Sequence, residues 1–380
     1  MRNSSVLSGL SVLALAGMLL TGCAKAPQDV ATGPTNTPSP TATIEPVSVP
    51  KPLIDVDCED IGTAAQISQV VNDDVHTVDP VAGNGLSLAV QLQQLGGFSC
   101  RWENDTPETN MASGPQNYNM TLDVLPKAGG KWDRYADAYD IDGDSYTYCY
   151  DCNTDTETSP SFFCGYFAYV NDVWIELYVE GADRAGVVGD KAVVASVAPF
   201  LASVKNTFTG SAYVAEPWVA PATTAALPSE CVAFASNAQL QEATGVAKPL
   251  NTFTYTDGPQ VGMTLSLDNK YLVKSCTFAM PKAEIGIGGL AALPGGAWAW
   301  ENPDLFPADA QSVEVAGLKT GERAVTGCVY EQCTIDLLVG GNWIRVYVYH
   351  EEGLPAGYEF GVTDSEALGA IATVIVANLG

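Results

Sequence analysis

The sequence predicts an α+β protein of two tandem copies, each an antiparallel β-sheet flanked by an N-terminal and a C-terminal helix. Three observations lead there. Short motifs recur in the same order in the two halves. Strand-length runs alternate apolar and polar residues. Each half opens on a helix-capping sequence and closes on an apolar helical stretch.

Cys58 stands five residues before Thr63, and Cys231 five before Ser236. Gln66 and Gln239 follow each hydroxyl by three residues. Ser/Thr-x-x-Gln is a capping box, in which hydroxyl and amide satisfy the free N–H groups of a helix start, so short helices are predicted near Thr63–Asn72 and Ser236–Thr244. Ser99-Cys100-Arg101-Trp102 is matched by Ser275-Cys276-Thr277-Phe278. Leu125-Pro126, Gly129-Gly130 and Trp132 are matched by Leu293-Pro294, Gly295-Gly296 and Trp298. Cys164 precedes Trp174 by ten residues, as Cys333 precedes Trp343. The closing helices are Asp190–Phe208, which Pro199 should kink or restart, and Asp364–Leu379.

The strands are clearest beside those tryptophans. Val173, Ile175, Leu177 and Val179 fall on one face of a strand, and Ile344, Val346 and Val348 on the corresponding face of another. The opposite faces carry Trp174, Glu176 and Tyr178 in one copy and Trp343, Arg345 and Tyr347 in the other.

The N-terminus addresses the chain to the cell envelope. Arg2 precedes an apolar core from Val6 to Leu20 that is too short and too rich in small residues to span a bilayer, and it reads as a secretory signal. It ends in Leu20-Thr21-Gly22-Cys23, which resembles the lipobox of lipoprotein signal peptidase. Cleavage would leave Cys23 first in the chain, its thiol carrying a diacylglycerol; one acyl chain alone holds a protein weakly, so two or three are required. The stretch that follows, rich in Thr and Pro from Ala31 to Thr43, reads as an extended spacer and suits O-glycosylation. The expected organisation is therefore signal peptide 1–22, lipidated Cys and linker 23–52, first copy 53–209, Pro/Ala linker 210–228 and second copy 229–380.

Ten Cys beside 2 His point to disulfides in an oxidising compartment. A formal net charge of −27 repels nucleic-acid phosphates and anionic lipid, which leaves the covalent lipid on Cys23 as the membrane link.

Lipobox, Thr/Ser/Pro spacer, an early Cys before a capped helix, a Cys-x-aromatic strand, a Gly-rich turn and a later Cys opening a strand together resemble actinobacterial surface lipoproteins of unknown function. The elements are Cys58, Cys100, Trp102 and Cys164 in the first copy, and Cys231, Cys276, Phe278, Cys328 and Cys333 in the second, with Gly317–Gly321 as the turn. The resemblance implies a PsbP-like α/β/α sandwich and is nearly silent on activity. Two copies and an extra first-copy Cys depart from the usual layout. The expected disulfides are Cys58–Cys100, Cys231–Cys276 and Cys328–Cys333, with Cys164 paired to Cys149 or Cys152. Spacing from the preceding glycine favours Cys149, and loop length favours Cys152.

Catalytic signatures are weak. His76 and His350 occupy unrelated places in the two copies, and neither has a nucleophile at motif spacing. Asp140, Asp142 and Asp144 alternate like calcium ligands, with Asp151 at the twelfth loop position. The glycine is displaced, however, and the second copy lacks the carboxylates, so a solvated turn is the better reading. Cys149-Tyr150-Asp151-Cys152 lacks a second ligand pair for zinc and is read as structural. No metal and no cofactor is expected.

The aromatic faces bearing Trp174, Tyr178, Trp343 and Tyr347 are a candidate ligand surface, although core packing beneath a helix is the favoured reading for a strand Trp. In that case the ligand site lies elsewhere, in a cleft between the copies. The expected function is a non-catalytic binding or sensor-accessory module on the extracytoplasmic face of the cell membrane, with a lipid, glycan or protein ligand. The alternative is a cell-wall polymer hydrolase using paired carboxylates, for which no pair recurs at equivalent places in both copies.

Overall fold

The first copy opens with α1 (Cys58–Ile61) and α2 (Ala64–Val71). In the computed structural model the described residues are 48–71, 74–83, 85–104, 119–129, 132, 139–142, 145–150, 163–180, 190–254, 263, 267, 272–281, 286–329, 332–349 and 357–380, a few with backbone only. The signal segment, Cys23, the Thr/Pro spacer, Asp144, Asp151, Cys152 and His350 lie outside them.

The Thr63 amide donates to Gln66 Oε1 (2.9 Å), and the Gln66 amide donates back to Thr63 Oγ1 (3.4 Å). Ser236 and Gln239 make the same pair at 2.9 and 3.3 Å and start α5 (Asn237–Thr244). Both helices begin one residue after the capping hydroxyl. A third box, Thr363 with Glu366, starts α6 (Asp364–Leu379). The matching helix α4 (Asp190–Thr209) runs unbroken through Pro199, so the expected restart does not occur. A proline removes only one backbone donor, and a helix held along its length by packing tolerates that loss.

The first copy's strands are β1 (His76–Val78), β2 (Phe98–Glu103), β3 (Asn119–Pro126), β4 (Tyr139–Asp142), β5 (Ser145–Tyr150), β6 (Phe163–Val170) and β7 (Val173–Glu180). They pair in the order β1-β2-β3-β7-β6-β5-β4. The second copy has β8 (Asn251–Phe253), β9 (Lys274–Ala279), β10 (Gly286–Leu293), β11 (Gln311–Ser312), β12 (Arg323–Val329), β13 (Gln332–Val339) and β14 (Asn342–Val348). Read from the other edge, its order β8-β9-β10-β14-β13-β12-β11 is the same, and every pairing in both sheets is antiparallel. The repeat therefore extends from motifs to topology. The central hairpins also agree. Asn171 and Asp172 between β6 and β7, like Gly340 and Gly341 between β13 and β14, take the positive φ values of a two-residue turn that matches strand twist.

One face of each sheet is covered by helices of its own copy. Val173, Ile175, Leu177 and Val179 pack with Ile67 and Val71 of α2 and with Val197, Phe200, Leu201, Val204 and Phe208 of α4. Ile344, Val346 and Val348 pack with Leu240 of α5 and with Leu368, Ile371, Ala372 and Ile375 of α6. Cys58–Cys100, Cys231–Cys276 and Cys328–Cys333 are disulfide-bonded. The first two each tie the start of a copy to its second strand. Cys149 lies directly opposite Cys164 in the β5–β6 ladder, as Cys328 does opposite Cys333 in β12–β13, although the side chains of Cys149 and Cys164 are outside the description.

Val47–Gly380 form one compact unit holding both copies. The segment 210–228 is fastened along its length. Tyr213 bridges to Ile54, Trp218 Nε1 donates to the Ser48 carbonyl (2.8 Å), and the Ala225 amide donates to Gly340 O (2.8 Å).

Candidate functional site

The second face of each sheet turns toward a layer shared by the two copies. A helix absent from the sequence-based expectation, α3 (Leu88–Gln94), lies in this layer. Its Leu92 joins Trp174, Leu125 and Ala128 of its own copy and Met263 and Leu267 of the other. Its Ala89 and Val90 join Trp343, Leu293, Trp300 and Leu305 of the second copy. Gln94 sews the layer: Nε2 donates to the Pro294 carbonyl (2.8 Å), and Oε1 accepts from Trp298 Nε1 (2.7 Å). The Gly83 and Gly85 amides donate to the Asp304 and Leu305 carbonyls at 2.7 and 2.6 Å. Gly85 has φ +57°, and a Cβ there would lie 1.5 Å from an Arg345 guanidinium nitrogen. Only glycine fits.

This layer decides the fate of the aromatic residues. Trp174 and Trp343 have no solvent-exposed surface, and Tyr178 and Tyr347 are half-buried. The indoles are core between the copies, because each sheet's second face is covered by α3 or by the other copy. Trp174 and Tyr178 in one copy, and Trp343 and Tyr347 in the other, therefore do not form an open aromatic surface.

The same faces carry buried charge, arranged differently in the two copies. In the second, Asp336 lies opposite Arg345 in the β13–β14 register. Arg345 Nε and one terminal nitrogen each donate to an Asp336 oxygen at 2.9 Å, and Trp343 Nε1 donates to Oδ1 at 2.7 Å. That acid is fully paired, by two parallel bonds and an indole. In the first copy Glu176 stands where Arg345 does, Phe167 where Asp336 does, and Asp123 opposite Glu176 on β3. Two buried carboxyls thus face each other. Ser99 donates to Asp123, and the Tyr178 hydroxyl donates to Glu176 Oε2 (2.7 Å). Glu176 Oε1 and Trp174 Nε1 have no hydrogen-bond partner of good geometry among the described residues. Burial pushes Glu176 up to about 8, held back in part by the Met263 backbone, the Tyr178 hydroxyl and the nearby Trp174 indole and with the Asp123 charge adding to the rise. Burial also raises Asp123 to about 6, the Ser99 hydroxyl holding it back in part. Near neutral pH Glu176 is a neutral acid, the form that burial tolerates.

Open concave surface lies nearby. A cleft of about 770 Å³ is lined by Asp79, Ala82 and Gly83 of the first copy and by Pro303, Asp304, Phe306 and Ser312 of the second. It adjoins a second hollow of about 800 Å³, which shares Pro303, Phe306, Ser312 and Val325 and adds Trp300, Glu314 and Arg323. Trp300, Phe306 and Trp343 form a three-ring cluster with centroids 5.1 to 5.9 Å apart, so the cleft floor is continuous with the aromatic core. Arg323 lies 5.9 Å from the Trp300 ring centre and pairs with Glu301. None of these cleft residues is set apart by a sequence motif.

His76 is exposed at the start of β1, opposite Glu103. Asp140 and Asp142 fall on β4 rather than in a turn, and the side chains of residues 140–144 are not among the described ones. Among the described residues no group of three or more His, Cys, Asp or Glu could hold a metal ion.

Among the described residues, fold and site together define a duplicated α+β protein with two seven-stranded antiparallel sheets and a shared aromatic layer. No family model and no curated protein matches the chain. Among solved structures it is compared with the di-domain aromatase/cyclase StfQ from the steffimycin biosynthetic pathway. That match covers 80% of this chain and 93% of the other at 10% identity, with a TM-score of 0.13, too low to bear on fold or activity.

Proposed function

We propose that this protein is a lipid-anchored, non-catalytic binding module on the extracytoplasmic face of the membrane, with its ligand in the cleft between the copies. The observation that carries the reading is the contrast between two places. The facing acids Asp123 and Glu176 are sealed at 4% and 0% exposure, whereas the cleft beside Phe306 is open and has an apolar floor. Paired-carboxylate hydrolysis needs both carboxyls within reach of the scissile bond of a polymer, and these two are not. An open apolar concavity with few polar groups is instead the usual form of a ligand site.

The three disulfides fit an oxidising compartment. Among the described residues no helix is long and apolar enough to cross a membrane, so attachment in this reading rests on Cys23. The helices packed on one face of each sheet support reading each copy as a PsbP-like sandwich.

Native mass spectrometry of the chain extracted from its own envelope tests both halves of the reading. The expected result is the mass of a diacyl or triacyl Cys23 together with a retained small molecule or peptide that Phe306→Ala loses. Cys23→Ala should leave the detergent phase. An unmodified Cys23 removes the anchor, and a retained ligand indifferent to Phe306→Ala removes the cleft.

A further inference from the structure

The cleft has a chemical preference. Asp79 and Asp304 are exposed at its rim and Glu314 at the rim of the adjoining hollow, while Arg323, the one cation lining either among the described residues, is already held by Glu301 over the Trp300 ring. Acidic rim and aromatic floor favour a cation, and Arg323 on Trp300 shows the arrangement using a guanidinium of the chain itself.

The cleft wall also contains a sheet edge. β11 is the last strand of its sheet, and Ser312 lines both hollows. The Val313 amide donates to the Ala324 carbonyl (3.1 Å), and Gln311 lies opposite Thr326. Hydrogen-bonded and non-hydrogen-bonded pairs alternate along an antiparallel ladder, so the Ser312 N–H and C=O point away from β12. Neither has a partner among the described residues. An outward-facing amide and carbonyl on an edge strand is the feature that pairs with an added strand.

We infer that the cleft binds an extended, positively charged peptide segment, paired to the backbone at Ser312 with its cationic side chains against Asp79, Asp304 and Glu314. This rests on the reading of the cleft as the ligand site and names the ligand's class.

The probe is a capped Arg-Ser-Arg-Ser-Arg peptide, fluorescently labelled and titrated by anisotropy into the full mature chain. Its citrulline analogue keeps the shape and removes the charge. Saturable one-to-one binding is expected, weakened at least tenfold by citrulline and at least tenfold by Asp304→Asn with Glu314→Gln. Methylating the central backbone nitrogens of the peptide should weaken it similarly. Glu59→Gln with Glu242→Gln removes as much charge from the outer helices α1 and α5 and should leave binding unchanged, which separates the cleft from the overall charge of −27. Equal binding of the citrulline peptide, or equal loss on the outer-helix substitutions, overturns the inference. The cleft reading survives that result if Phe306→Ala still releases the ligand retained from the envelope, and it falls as well if Phe306→Ala changes nothing.

Discussion

Replacing Glu176 by Gln should make the protein less sensitive to alkali. Glu176 is completely buried opposite Asp123, and its carboxyl ionises near pH 8 in the fold against an ordinary value of 4.5. The folded chain therefore holds this proton more tightly than the unfolded chain does. Its contribution is fully present below about pH 4.5, declines as pH rises toward 8, and is gone above that. Each pH step within the window costs at most ~1.4 kcal/mol, and local relaxation reduces the total to roughly 2–5 kcal/mol. Asp123, raised to about 6, adds in the same direction over the lower part of the range. Gln keeps the shape without the ionisation, and it also relieves Asp123 of a facing charge. The assay is chemical denaturation of wild type and Glu176→Gln from pH 5 to pH 9, with disulfides intact. The net charge of −27 also loosens the fold at high pH, but both proteins share that effect, so the difference between the curves isolates Glu176. The variant should gain on wild type by a few kcal/mol between pH 5 and pH 9. Parallel curves would refute a protonated Glu176 and the argument from its burial.

Three further outcomes follow from the packing. Gly85→Ala, which combines a left-handed backbone with a clash against Arg345, should cost about 2–4 kcal/mol by denaturation, whereas Gly83→Ala, with open space around its Cβ, should cost markedly less. Trp174→Ala should lose about 3–5 kcal/mol of stability; a variant with an unchanged melting point would return the indole to the surface as a ligand contact. Replacing Cys58 and Cys100 together by Ala should remove about 3–4 kcal/mol, the entropy of a closed loop of some 40 residues. Non-reducing peptide mapping that linked Cys58 to a second-copy Cys would contradict the duplicated layout.

Much of each copy was legible from short-range chemistry. Thr63 with Gln66 and Ser236 with Gln239 marked helix starts because the capping bonds lie within one turn. Alternation marked β7 and β14 because a strand's two faces differ in what covers them. The recurrence of Cys and aromatic motifs foretold that one topology would appear twice. Recurrence could not say how the copies meet. The role of α3 as a layer between two sheets depends on contacts from Leu92 to one copy and Ala89 to the other, and a short helix carries no sign of having two partners. Nor does the sequence reveal that Asp123 and Glu176 face each other, since that opposition arises from the register of β3 with β7, set by everything else those strands pack against. The pairing of Arg345 with Asp336, the exclusion of any residue but glycine at position 85 and the cleft beside Phe306 are of the same kind. Local propensity and periodicity determined the elements of this protein, and long-range packing decided which faces they bury, which acids lose their water and where concave surface remains.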